Sequence, residues 1–247
     1  MTADLKSIGL DFPRWQDAVE AAIASNRLQV AGEVRGGQLI QFADRSGAQI
    51  HILAVEPYAT YAGFESITQT YAHVEMLTDV LALCEIIDPF GAEITTITCN
   101  LAQGPLLADQ PRQDYQPLAV TALAMQTTIY PSAEDFENRT GEVLGVLISE
   151  GAQTVAAGTG AHTPDASAQF SARVLDAEYR TNELTGQRFI HATVDGPFPF
   201  DVCLPDSPEL PARDQVIAGT ALLTAAIKAP VGGGCGGCGG SCGCGGH

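Results

Sequence analysis

Three short segments of this chain share one design, and that design constrains what can surround them. Asp44-Arg45-Ser46-Gly47 stands before AQIHILAV, Asp88-Pro89-Phe90-Gly91 before AEITTITC, and Glu183-Leu184-Thr185-Gly186 before QRFIHATV. Each is an acid, two variable residues and a glycine between β-prone runs. This is type I turn chemistry, with Asp at the first position, Pro accepted at the second and Gly taking positive φ at the end. Period-two patterning on both sides predicts β-hairpins with strands near 38–43/48–55, 77–87/92–101 and 170–181/187–195. Further strands are expected at 67–76, 118–130, 143–148, 198–204 and 215–227.

Helices are few. Asp11 reads as an N-cap with Pro13 in the first turn, and Trp15, Ala18, Val19, Ala22 and Ile23 follow at helical spacing, a stripe expected to dock on the body and bury the only tryptophan. Ser132 to Arg139 reads as a short capped helix with Glu134 and Asp135 in its first turn. The fold class is therefore all-β, an antiparallel barrel or a double-sheet sandwich with a short N-terminal helix. A shared Val-Leu upstream of the second and third hairpins (Val80-Leu81, Val174-Leu175) admits two related β units. The expected organisation is a helical segment at 1–26, a β-rich half at 27–112, a second at 113–230, and a Gly/Cys-rich tail at 231–247.

That tail carries the chain's chemistry. Residues 232–247 read GGGCGGCGGSCGCGGH and hold four of the seven cysteines. So glycine-rich a stretch cannot bury a core, and thiols there serve no folding purpose. Cys235, Cys238, Cys242, Cys244 and His247 form C-x2-C-x3-C-x-C-x2-H. Thiolates and an imidazole are the usual ligands of zinc, and the same thiolates suit Cu(I) or an iron–sulfur cluster. The spacing matches no zinc ribbon or finger, so the pattern points to soft-metal binding without choosing the metal. No fixed structure is expected in the tail without a metal.

Two resemblances are confined to these sixteen residues. Cysteine beside Gly or Ser in a Gly-rich C-terminal segment resembles the core of thiazole- and oxazole-forming microcin precursors, which implies a modified-peptide precursor with the body as its leader. Cys242-Gly243-Cys244-Gly245 resembles the ending of A-type iron–sulfur carriers. That family places a third cysteine some sixty residues upstream, whereas Cys203 is closer and in a different context, so the assignment is not made.

The body offers no catalytic signature: G-x-S-x-G, H-E-x-x-H and the dinucleotide fingerprint are all absent, and GTGAH at 158–162 lacks the lysine of a phosphate loop. His51, His73 and His191 fall within predicted strands and read as half-buried structural residues, while His162 falls in a solvated loop. Asp176 and Glu178 read as a solvent face, and Tyr58, Tyr61 and Phe64 as packing residues. Cys84, Cys99 and Cys203 read as buried, reduced thiols. A regular second hairpin sets Cys84 opposite Thr95 or Thr96 and away from Cys99.

A net charge of −17, with 12 Lys and Arg against 29 Asp and Glu, argues against nucleic acid and against an anionic membrane surface. No apolar run reaches the roughly 18 residues of a spanning helix, and MTADLKSIGLDFPRW lacks a secretory pattern. Scattered body thiols and an odd cysteine total fit a reducing cytoplasm. The reading is a non-catalytic, acidic β-rich protein whose tail binds a soft metal such as zinc or Cu(I). The alternatives are a protein-interaction or structural module with an inert tail and an unidentified partner, the modified-peptide precursor, and an enzyme with a site dispersed in sequence.

Overall fold

A computed structural model of the chain describes residues 2–160 and 162–228. The four-stranded antiparallel sheet runs β1 (Leu28–Val34), β2 (Gly37–Ala43), β3 (Ala48–Leu53) and β4 (Ala59–Phe64) in spatial order. The main body follows, with β5 (Thr70–Met76), β6 (Leu81–Ile87), β7 (Glu93–Leu101) and β8 (Gln113–Tyr130), then β9 (Val146–Ser149). It ends with β10 (Ser167–Thr181), β11 (Arg188–Asp195), β12 (Pro199–Pro205) and β13 (Val216–Ile227). Five short helices complete the described residues: α1 (Ala3–Lys6), α2 (Trp15–Ala24), α3 (Gly104–Leu107), α4 (Ala133–Thr140) and α5 (Glu150–Ala157). The all-β expectation holds.

The three tetrapeptides lie at hairpin tips, and Gly47, Gly91 and Gly186 have φ of +95°, +84° and +71°. In the first two the acid organises the turn. Asp88 Oδ1 accepts the N–H of Phe90 and of Ala92, both at 2.8 Å. Asp44 Oδ1 accepts the N–H of Ser46 at 3.0 Å. The third turn is one residue wider, because Asn182 rather than Glu183 takes the acid's place. Its Oδ1 accepts the Leu184 N–H at 3.0 Å, and its carbonyl accepts the Gly186 N–H at 2.8 Å.

β8 and β13 are long antiparallel partners, paired from Leu118↔Ile227 to Tyr130↔Val216. The outer edge of β8 is taken by β5 at its start and by β12, in parallel, at 121–123. The outer edge of β13 is taken by β10 and then, in parallel, by β7 at 224–225. Strands β5–β8 and β10–β13 thus repeat one connectivity, each unit closing on the last strand of the other. The Val-Leu dipeptides do not mark this repeat: Val80-Leu81 opens β6, whereas Val174-Leu175 lies within β10, the counterpart of β5. The division at 112/113 falls just before β8, which pairs back with β5.

Side chains alternate across these strands. Val120, Ala122 and Ala124 of β8 join Leu223 and Ala225 of β13, Val202 of β12 and Cys99 of β7 in one apolar core. The other face carries a polar row at the meeting of the two units, where Asp201↔Thr121, Thr121↔Thr224 and Thr224↔Asn100 are successive cross-strand partners. Against that face sits the four-stranded sheet. Thr224 donates to Ala62 O at 3.2 Å, and Leu123 and Cys203 join Phe42, Ile50 and Phe64 in a second core.

The N-terminal segment fills out this second core through Leu5, Ile8 and Leu10. Helix α2 starts later than expected: Arg14 occupies the N-cap without a side-chain bond, so Asp11 is not the cap. Its stripe is also narrower, because Ala18 and Ala22 are buried, Trp15 is only half-buried and Ile23 is exposed. Helix α4 matches expectation, with Ser132 accepting the Asp135 N–H and Gly141 ending it at φ +72°. Strands β1 and β4 and helices α1, α3 and α5 were not among the expected elements.

The register of the second hairpin differs by about one residue from a regular one. Cys84 pairs with Ile97 and Ala82 with Cys99, the pairing shifting between Ile86 and Ile87. This irregularity moves Cys99 onto the diagonal beside Cys84, and the two sulfurs lie 3.5 Å apart. Both remain free thiols, as does Cys203, and all three are buried.

Candidate functional site

Strand β3 carries His51 between Gln41 of β2 and Tyr61 of β4. Alternation sends Ala48 and Ile50 into the second core, and Gln49, His51 and Leu53 to the opposite face. The imidazole stacks on the Tyr61 ring at 5.0 Å, and the Tyr61 hydroxyl is anchored to Ala102 O at 3.1 Å. Gly63 supplies the space for the ring, since a Cβ at that position would overlap His51 Nε2. Glycine inside a strand often marks such a close approach.

His51 is only 2% exposed, and neither ring nitrogen has a hydrogen-bond partner among the described residues. A buried polar group left unpaired costs about 1–3 kcal/mol, so an orphaned imidazole needs an explanation. Burial lowers its pKa from 6.5 to about 4, so the ring is neutral at pH 7. A neutral imidazole has a lone pair available to a metal without displacing a proton.

The ring lines a cleft of about 490 Å³ between the four-stranded sheet and the end of β13, with Gln41, Gln49, Gln103 and Lys228 among its walls. Gln103 fixes one wall: its amide nitrogen donates to Ile227 O at 3.1 Å, and its Oε1 accepts the Ile227 N–H at 3.0 Å. The Lys228 N–H donates to Pro117 O at 2.8 Å. The last described residues are therefore held at the cleft, and the chain continues from there to the cysteines.

His191 is equally buried but has partners. Its Nε2–H donates to Asp201 Oδ2 at 2.6 Å, and Glu178 lies 3.7 Å from Nδ1. Asp201 also accepts the N–H groups of Ile67 and Thr68, at 2.9 and 3.1 Å, and the Thr68 hydroxyl. Burial pushes the Asp201 pKa up, but its bonds from His191, Thr68 and Ile67 hold it below the ordinary value. This cluster pins the 65–69 connection to the body. His73 is half-buried, with Nδ1 2.7 Å from Asp114, and His162 is exposed as expected. The three strand histidines do not converge.

A larger groove of about 620 Å³ lies between the end of β8, α4 and β9. Its walls include exposed Val143 and Ile148, with Glu142 as the titratable carboxylate. No group of three or more His, Cys, Asp or Glu side chains among the described residues is arranged to hold a metal. The sequence-predicted ligands Cys235, Cys238, Cys242, Cys244 and His247 lie outside the described residues, as does the expectation about their order.

Sequence reasoning named His51 without seeing its setting. The available signals were Gly63 within an aromatic run and an apolar strand ending just before the tail. The Gln103 clamp left no signal, because it joins residues more than a hundred positions apart.

Comparison with protein-family models, with curated proteins and with solved structures finds no match. No helix among the described residues is long and apolar enough to cross a membrane.

Proposed function

We propose that this protein binds a soft metal ion, zinc or Cu(I), through the C-terminal thiols Cys235, Cys238, Cys242 and Cys244, with His247 as a further ligand. The body then acts as a non-catalytic carrier, sensor or docking scaffold in a reducing compartment such as the cytoplasm. The observation that carries this reading is four cysteines within ten residues of a segment otherwise made of Gly, Ser and a terminal His. Glycine lets the backbone gather several thiolates around one centre, and thiolate is the donor that soft ions prefer. The neutral His51 beside the point where this segment begins is consistent with such a site. Elemental analysis of protein purified under reducing, metal-replete conditions tests the reading. About one zinc or copper per chain is expected, and metal-free protein contradicts it.

A second reading is a protein-interaction module with an inert tail. The apolar groove with Val143 and Ile148 at its surface favours it. Under that reading, replacing the four tail cysteines by serine changes no measurable property.

A further inference from the structure

We infer that the groove of about 620 Å³ between the end of β8, α4 and β9 docks an extended segment of a partner protein, one with apolar residues flanked by Lys or Arg. The inference rests on the interaction reading above, to which it adds the partner's chemistry, and it is independent of the tail.

The first observation is the shape and lining of the groove. Two cross-strand rows floor it, Val146–Ser171–Ala218–Thr128 and Ile148–Gln169–Thr220. Ser171, Ala218 and Thr220 are small, so a backbone can lie close to the sheet. On the β9 side Ile148 is 40% exposed, and Val143, in the connection before β9, is 72% exposed. On the β8 side the rings of Tyr130 and Phe136 pack edge to face at 5.1 Å. A single exposed apolar side chain needs no explanation, but a concave site with apolar walls releases water when a ligand fills it.

The second is spacing. Leu147 and Ser149 are buried, whereas Val146 and Ile148 turn to the groove. Alternation puts those two side chains about 6.5 Å apart on one face. An extended segment with apolar residues at every second position repeats the same spacing.

The third is charge. Glu142 precedes β9 and Glu150 directly follows it. The Ser171 hydroxyl donates to Val143 O at 3.5 Å, and Gln169 Nε2 donates to Glu150 Oε1 at 3.3 Å, so the two glutamates stand at opposite ends of the β9 wall. Neither pairs with a Lys or Arg among the described residues. From Ala133 to Glu150 five carboxylates stand against one cation, Arg139, itself tied to Asp135 at 3.0 Å. The field at the groove is therefore negative and draws a cationic partner. A net charge of −17 sets two copies of this chain in repulsion, which disfavours a second copy as the occupant. Lys and Arg carry apolar stems that lie along such walls while their heads reach the carboxylates.

The test uses the full-length, reduced, nitrogen-15-labelled protein and three capped peptides: Lys-Leu-Val-Leu-Lys, Glu-Leu-Val-Leu-Glu and Lys-Ser-Ser-Ser-Lys. Amide shifts at 142–150, 169–171 and 218–220 report on the groove. The first peptide is expected to move these signals and to bind at least about ten-fold more tightly than either other, since it alone joins apolar contact to two charge pairs. Glu142→Lys, at an exposed position, is expected to weaken the first peptide and strengthen the second, a crossover that misfolding does not produce. Val143→Asp is expected to weaken the first. Equal binding of the acidic peptide at the groove overturns the basic partner and leaves the interaction reading standing. Equal binding of the serine peptide shows attraction to charge alone and overturns the inference. No groove shift with any of the three overturns the inference and removes the groove as support for the interaction reading.

Discussion

Asp44, which leads one hairpin turn, and Glu183, which follows the leading Asn182 of another far away in sequence, meet in the fold: both carboxylate oxygens of Asp44 accept the backbone N–H of Glu183 at 3.2 Å. Asp44 also accepts the Ser46 hydroxyl at 2.6 Å and pairs with Arg27 at 3.3 Å, while Arg180 donates to Ser46 O at 3.0 Å. The tip of the β2–β3 hairpin is thereby fastened to the tip of the β10–β11 hairpin. One buried carboxylate joins the small sheet to the body.

Asp44→Ala is accordingly expected to destabilise the protein by about 1–3 kcal/mol, the cost of leaving buried donors unpaired. Urea unfolding checks this through the midpoint. An unchanged midpoint contradicts the fastening role.

How far the fold could be read follows from the same residues. Asp44, Asp88 and the turn glycines act within a few positions of themselves, so the hairpins were legible. The third turn was misassigned by one residue, because Asn182 does the same work as an acid and stands beside one. The Cys84–Cys99 approach was missed because a single shift near Ile87 changes every later pairing in the ladder. Of the candidate site, His51 was visible as a residue, while its burial, its unpaired nitrogens and the Gln103 clamp arise only when distant strands meet. The thiol-rich tail was visible because its composition is local.

Gly63→Ala is expected to destabilise by about 1–3 kcal/mol, since the added methyl overlaps His51 Nε2. In a His51→Ala background the ring is gone, and the cost should fall well below that seen in wild type. A double-mutant cycle measures the coupling. Strict additivity contradicts the proposed fit between the glycine and the ring.

Stability is expected to depend on pH through His51. Its folded pKa is depressed from 6.5 to about 4, so between those values the unfolded chain binds more protons than the folded one. Stability therefore rises with pH across this window, is fully present above about 6.5, and is lost downward by about 3 kcal/mol. Asp201, held below its ordinary 3.8, contributes a separate loss at lower pH. Urea unfolding from pH 4 to 8 should show the slope in wild type and a flatter one in His51→Gln. Equal slopes contradict the assignment.

Cys84 and Cys99 are expected to resist alkylation in the native state. The hydrogen bond between the two sulfurs, together with burial, pushes the Cys84 thiol well above its ordinary value, and burial does the same for Cys203. All three side chains are buried, so they should label only as fast as the protein opens. Mass spectrometry after a short iodoacetamide pulse, set beside a denatured control, checks this. Labelling of Cys84 as rapid as that of a denatured control contradicts the buried core.

The most direct measurement is a stoichiometric titration of reduced full-length protein with zinc and with Cu(I), beside a variant carrying Cys235, Cys238, Cys242 and Cys244 as serine. Metal uptake should reach about one ion per chain in wild type and fall away in the variant, with affinity decreasing as pH drops and the thiols regain their protons. Equal uptake by the two proteins contradicts metal binding by the tail.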